Sequence, residues 1–74
     1  MIYCLIVDDE PLAQEILTAY VNDDERLLLV QQCSTAFQAF EILHQQQIDL
    51  MFLDIKMPGL NGIDFLKSIK QLNS

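Results

Sequence analysis

Tryptophan is absent from these 74 residues, glycine, proline and cysteine occur twice each, and four lysines and arginines face eleven aspartates and glutamates. Each shortage excludes something. So little Gly and Pro, with no low-complexity tract, argues against collagen-like repeats and disordered linkers. Two cysteines cannot form the multi-bridge framework on which small secreted domains depend. A net charge of −7 repels phosphate backbones, so no direct nucleic-acid or anionic-membrane contact is expected of this segment. No apolar run approaches the roughly 18 residues of a membrane span, and Met1 to Val7 has neither a basic leader nor a small-residue cleavage site. A cytoplasmic location is the expectation that follows.

What remains is an ordinary globular composition, 51% hydrophobic and 20% charged, in one small domain. Its core alone is expected to supply no more than about 3–5 kcal/mol of net stability.

The apolar pattern alternates between two periods. Ile2 to Val7 is continuously apolar and ends at Asp8-Asp9-Glu10, and Pro11 follows, a residue suited to the first helical turn. Leu12, Ala13, Ile16, Leu17 and Tyr20 recur at helical spacing as far as the polar run Asn22-Asp23-Asp24-Glu25. A second strand is expected from Leu27 to Val30, extending toward Cys33. Thr35 and Gln38 then carry a capping-box signature for a second helix, whose buried stripe uses Ala36, Ala39, Phe40 and Leu43. Ile48 to Leu53 predicts a third strand ending at Asp54, a turn-rich loop runs from Lys56 to Gly62, and Ile63, Leu66 and Ile69 mark a third helix. Strictly alternating elements of this kind imply a parallel sheet with right-handed crossovers.

Three aspartates stand out against that frame. Asp8 and Asp9 close the first apolar run and Asp54 closes the third. In open α/β sheets, chemistry gathers beyond the carboxyl ends of the strands, so the three carboxylates are expected at one rim. Like charges held close repel, and such a cluster is tolerable mainly when a cation occupies it. An all-oxygen donor set favours a hard ion, Mg²⁺ first.

The blocks Leu5-Ile6-Val7-Asp8-Asp9-Glu10-Pro11 and Asp54-Ile55-Lys56-Met57-Pro58-Gly59-Leu60-Asn61-Gly62 closely resemble the receiver domain of two-component response regulators. The resemblance implies an α/β, CheY-like (flavodoxin-like) parallel sheet with helices on both faces. The family pattern runs to five βα units, so residues 1–74 are expected to form a partial receiver truncated to about three units, with strand order 2-1-3.

By the same resemblance Asp54 is the phosphoacceptor, taking a phosphoryl group from the phosphohistidine of a sensor histidine kinase. Mg²⁺ is held by Asp8, Asp9, Asp54 and the main-chain carbonyl of Lys56. Pro58, Gly59 and Gly62 shape the loop beside the acceptor. The Ser or Thr and the Lys that serve the conformational switch in the family have no match in residues 1–74. The style of the second block is similar to receivers attached to a LytTR-type DNA-binding domain.

Simpler roles exist for some of these residues. Asp8, Asp9 and Glu10 suit the positive end of a helix, and a strand often ends in a polar residue such as Asp54. His44 is expected on a solvated face, Asp23, Asp24 and Glu25 in a solvated loop, and Phe37, Phe40, Phe52 and Phe65 in packing. Cys4, early in the first strand, and Cys33, late in the second, are offset by about three residues of roughly 3.3 Å each, so reduced, packed thiols are expected.

Two other functions compete with the phosphoacceptor reading. One is a receiver-like protein-interaction module indifferent to phosphorylation. The other is a phosphohydrolase with an aspartyl nucleophile, disfavoured because Lys56 stands where that chemistry places its acid/base carboxylate. The module is therefore expected not to be an enzyme. Its third strand, an apolar sheet edge, is expected to recruit a second copy as a homodimer or segment-exchanged oligomer.

Overall fold

The computed structural model describes residues 1–54. Their elements run β1 (Ile2–Val7), α1 (Pro11–Asp23), β2 (Leu27–Cys33), α2 (Ala36–Gln45) and β3 (Leu50–Leu53). The three strands form one sheet in the order β2-β1-β3, both pairings parallel. The third helix expected around Ile63, Leu66 and Ile69 lies outside the described residues.

β1 is central, which accounts for its unbroken apolar sequence: alternate residues face opposite layers and both must be dry. Leu5 and Val7 pack on one face with Cys33, Ala39 and Ile42, the last two from α2. Cys4 and Ile6 pack on the other with Val21 of α1, and Leu17, Leu27, Leu29 and Phe52 close around them. The helices therefore cover opposite faces, as expected. Cys4, Leu5, Ile6 and Val7 are all fully buried.

Register explains how β2 serves both layers. Cys4 pairs with Leu29 but Leu5 pairs with Gln31, so Val30 is an extra residue that breaks the alternation. Before the bulge, Leu27 and Leu29 face α1. After it, Cys33 pairs with Val7 and joins the α2 layer. The cysteines are thus three positions apart along the sheet and on opposite faces, and both are free thiols. Burial pushes both thiols up from their ordinary value.

Both described helices start and stop by local chemistry. Pro11 opens α1, where a missing N–H costs nothing. At its far end Asp24 Oδ1 accepts from the Arg26 N–H at 2.9 Å and from Arg26 Nε at 3.0 Å, turning the chain into β2. These bonds to Arg26 hold the Asp24 carboxyl at about 2. α2 is capped by Thr35, whose hydroxyl accepts from the Gln38 N–H at 3.2 Å. The Gln38 side chain reaches back one residue further than a capping box requires, accepting from the Ser34 N–H at 3.0 Å.

Three expectations are corrected. β3 begins at Leu50, not Ile48. Asp49 ends the ladder instead, its N–H donating to the Tyr3 carbonyl while its carboxylate accepts from the Tyr3 N–H, and that bond holds its carboxyl below the usual range.

The stripe of α1 that meets the sheet is Leu17 and Val21, with Ala13 half-buried in the same row, whereas Leu12, Ile16 and Tyr20 are 65%, 51% and 70% exposed. The two i, i+4 rows lie side by side, and packing selects the one rotated a single residue on. In α2, Ile42 joins Ala39 as buried, while Phe37 is 73% exposed and does not pack. Phe40 and Phe52 do pack, against opposite clusters. Phe65 lies outside the described residues.

Candidate functional site

Adjacent parallel strands bring the acidic residues together. Val7 pairs with Leu53 at the carboxyl end of β1 and β3, so Asp8 and Asp54 are the next residue on each strand. The ladder continues one step past both, with the Asp54 N–H donating to the Val7 carbonyl and the Asp8 N–H to the Cys33 carbonyl, each at 3.0 Å. Asp8 is thereby tied to β2 and Asp54 to β1. Asp9 follows on the loop into α1.

One carboxylate oxygen from each of Asp8, Asp9 and Asp54 falls within 4.8 Å of the others. Asp8 is buried at 7% exposure, Asp54 is half-buried and Asp9 is exposed, so the cluster opens toward solvent on the Asp9 side. Asp8 Oδ1 accepts from the Glu10 N–H at 2.9 Å, an Asx turn that fixes the carboxylate while directing the chain into α1. Glu10, the residue before the helix, makes no side-chain cap.

These groups suit a hard divalent cation. Oxygens sharing one octahedral Mg²⁺ lie about 2.9–4.2 Å apart, given Mg–O distances of about 2.0–2.1 Å. A cluster within 4.8 Å therefore needs only small side-chain rotations, or one water-bridged ligand, to enclose an ion. Among the described residues Arg26 is the sole Lys or Arg, and it sits 2.7 Å from Asp24 where α1 gives way to β2, the far end of the sheet. The main-chain carbonyl of Lys56, and Pro58, Gly59 and Gly62, lie outside the described residues.

One residue of the site is invisible to motif reading. Gln14 projects from the first turns of α1, and its side-chain amide nitrogen bonds to the Asp8 carbonyl, to the Cys33 carbonyl at 3.3 Å and to Ser34 Oγ at 3.4 Å. The available signal was its position: Gln14, Leu17 and Val21 follow i, i+3, i+7, so an amide stands on the sheet-facing stripe. His44, by contrast, is exposed, with its ring Nδ1 2.9 Å from the Phe40 carbonyl within its own helix. Asp23, expected in a loop, is instead the last residue of α1, and Glu25 lies in the turn that follows; both are exposed beside the Asp24–Arg26 pair.

The described helices contain none long and apolar enough to cross a membrane.

Comparison with known proteins agrees with this architecture. The response regulator receiver domain family matches residues 4–74. The transcriptional regulatory protein BtsR of Escherichia coli (strain K12) is 39% identical over 66 residues, covering 89% of this chain and 28% of that protein. A protein-glutamate methylesterase/protein-glutamine glutaminase of Vibrio vulnificus is 35% identical over 69 residues, 93% of this chain and 20% of its own length. The chain thus spans under a third of these relatives. Among solved structures, the MaeR response regulator bound to beryllium trifluoride superposes with a TM-score of 0.86 at 32% identity, covering 99% of this chain and 60% of that one. Strand order, the acidic rim and these matches lead to one conclusion: the chain belongs to the response regulator receiver domain family.

Proposed function

We propose that residues 1–74 act as a partial receiver, the phosphoacceptor module of a two-component response regulator. In this reading Asp54 accepts a phosphoryl group from a sensor histidine kinase, and Asp8, Asp9, Asp54 and the Lys56 main-chain carbonyl would hold Mg²⁺. The observation that carries it is the convergence of three carboxylate oxygens within 4.8 Å at the ends of two neighbouring strands. The solved relative's named ligand, beryllium trifluoride, adds support, since that fluoride mimics a phosphoryl group.

Asp54 is the acceptor in this mechanism because it ends β3 and is half-buried, held by its N–H to the Val7 carbonyl. Its carboxylate oxygen attacks phosphorus and the P–N bond of the phosphohistidine breaks. The electron pair returns to the imidazole nitrogen, which takes up a proton, and an acyl phosphate is left on Asp54. Asp8 cannot compete as nucleophile, being covered and already turned toward the Glu10 N–H. Bound magnesium would offset charge as an anionic donor approaches an anionic acceptor. Asp9, exposed, would complete the ligand set from the solvent side. The output would be altered protein contacts elsewhere in a longer regulator, with no nucleic acid bound by this acidic module itself.

The test is intact-mass spectrometry after incubation with a small acyl phosphate. A gain of one phosphoryl group that requires Mg²⁺ and disappears in Asp54→Asn is expected. A gain that persists in Asp54→Asn would overturn the assignment. No gain at all, with partner binding indifferent to Asp54→Asn, would favour an interaction module that works without phosphorylation.

A further inference from the structure

We infer that Gln14 is the positioning residue of the acidic site, a clamp that sets where the Asp8 carboxylate stands. The inference rests on the reading of Asp8 as a metal ligand. Its basis is the placement of one amide group against three chain segments: the end of β1 through the Asp8 carbonyl, the end of β2 through the Cys33 carbonyl, and the approach to α2 through Ser34 Oγ.

An amide NH₂ has two hydrogens and so serves at most two of these acceptors at once. The shortest contact goes to the Asp8 carbonyl. That contact matters because of what surrounds it. Asp8 is the first residue after β1, and its own N–H is already fixed to the Cys33 carbonyl at 3.0 Å. With Gln14 on its C=O, both sides of the Asp8 backbone are held, and the Asx bond from the Glu10 N–H to Oδ1 holds the side chain. Position 8 then has little freedom left.

A buried carbonyl deprived of its donor is costly, so loss of the amide would let the Asp8 peptide rotate toward another partner and carry the carboxylate with it. Groups that orient a metal ligand this way typically change affinity by about 10–100-fold when removed. Gln14 also fastens α1 to the end of β2, whose register is displaced by the bulge at Val30. The clamp therefore joins the bulged strand to the acidic rim.

The experiment compares Gln14→Met, which keeps length and loses both donors, with Val21→Ala, which weakens the same helix far from the rim. Gln14→Asn, which keeps the amide and loses the reach, is the second variant should the methionine form fail to fold. Two quantities are read on the 74-residue chain: amide hydrogen exchange at Asp8 and Glu10 without metal, and the dissociation constant for Mg²⁺.

We expect exchange at both amides to quicken about tenfold in Gln14→Met, the equivalent of one lost hydrogen bond. We expect Mg²⁺ affinity to fall about tenfold, with Val21→Ala changing affinity less than about twofold. Unchanged exchange at Asp8 and Glu10, or an equal loss of affinity in Val21→Ala, would overturn the clamp. Absence of Mg²⁺ uptake by the unsubstituted chain would overturn the metal reading, and faster exchange in Gln14→Met would still uphold the positioning of Asp8.

Discussion

Three carboxylates within 4.8 Å of one another should make the metal-free protein pay for its own site, and Asp8→Asn tests this directly. The substitution keeps size and shape, and the Asn Oδ1 can still accept from the Glu10 N–H, so the Asx turn survives. What it removes is one charge, the most buried of the three. At an effective dielectric of about 20, two like unit charges at 4.8 Å repel by about 3.5 kcal/mol. Asp8 has two such neighbours, but Asp9 is exposed and Asp54 only half-buried, so solvent and salt screening bring the relief down to about 1–3 kcal/mol. For a domain of this size each kcal/mol moves the melting temperature by about 4–8 °C.

Asp8→Asn should therefore melt some 5–20 °C higher than the unsubstituted chain in chelator at low salt. Millimolar Mg²⁺ should reverse the order, because an ion bound only by the folded state stabilises it in proportion to RT ln(1 + [L]/Kd). Thermal unfolding followed by circular dichroism, with and without Mg²⁺ and at two salt concentrations, provides the reading. Equal melting temperatures in chelator, or equal Mg²⁺ stabilisation of both proteins, would refute the electrostatic argument.

Three further outcomes follow from the same structure. Ile6 is fully buried, so Ile6→Ala should cost about 2–5 kcal/mol, comparable with the whole net stability of so small a domain, and a cooperative melt within a few degrees of the parent would contradict this. Cys4 and Cys33 have thiols raised by burial, so folding keeps them protonated where the unfolded chain ionises. That contribution is intact below the ordinary thiol value and drains away as pH climbs above about 9. Native labelling by a thiol reagent should be slow and should track global unfolding, and rapid labelling at neutral pH would show the thiols to be accessible. β3 pairs only with β1 among the described residues, and its Met51, Phe52 and Leu53 are half-buried, so the 74-residue chain should self-associate through that edge. Light scattering at micromolar concentration should give a dimer mass, and a monomer mass would contradict it.

Much of this molecule is legible without coordinates. The limits of β1 follow from an apolar run stopped by Asp8, and the start of α1 from Pro11. α2 follows from Thr35 and Gln38. These are local decisions, made by backbone propensity, capping chemistry and the demand that a central strand be dry on both sides. Strict strand and helix alternation then leaves few topologies, and the order β2-β1-β3 is the one observed.

Tertiary structure decided what local pattern leaves degenerate. Two neighbouring rows of α1 are equally apolar, and only contact with Cys4 and Ile6 selects Leu17 and Val21 over Leu12, Ile16 and Tyr20. Nothing in Leu27 to Cys33 announces a bulge at Val30; it arises because β2 must place Leu29 on one layer and Cys33 on the other. The aspartates could be named from sequence, but the distance between Asp8 and Asp54, 46 residues apart along the chain, is a product of the pairing of Val7 with Leu53. Gln14 acquires its role by the same route, since its three partners come from segments that meet only once the sheet has formed. Short-range forces act between neighbours along the chain and can be read there, whereas register and convergence depend on which surfaces are finally buried together.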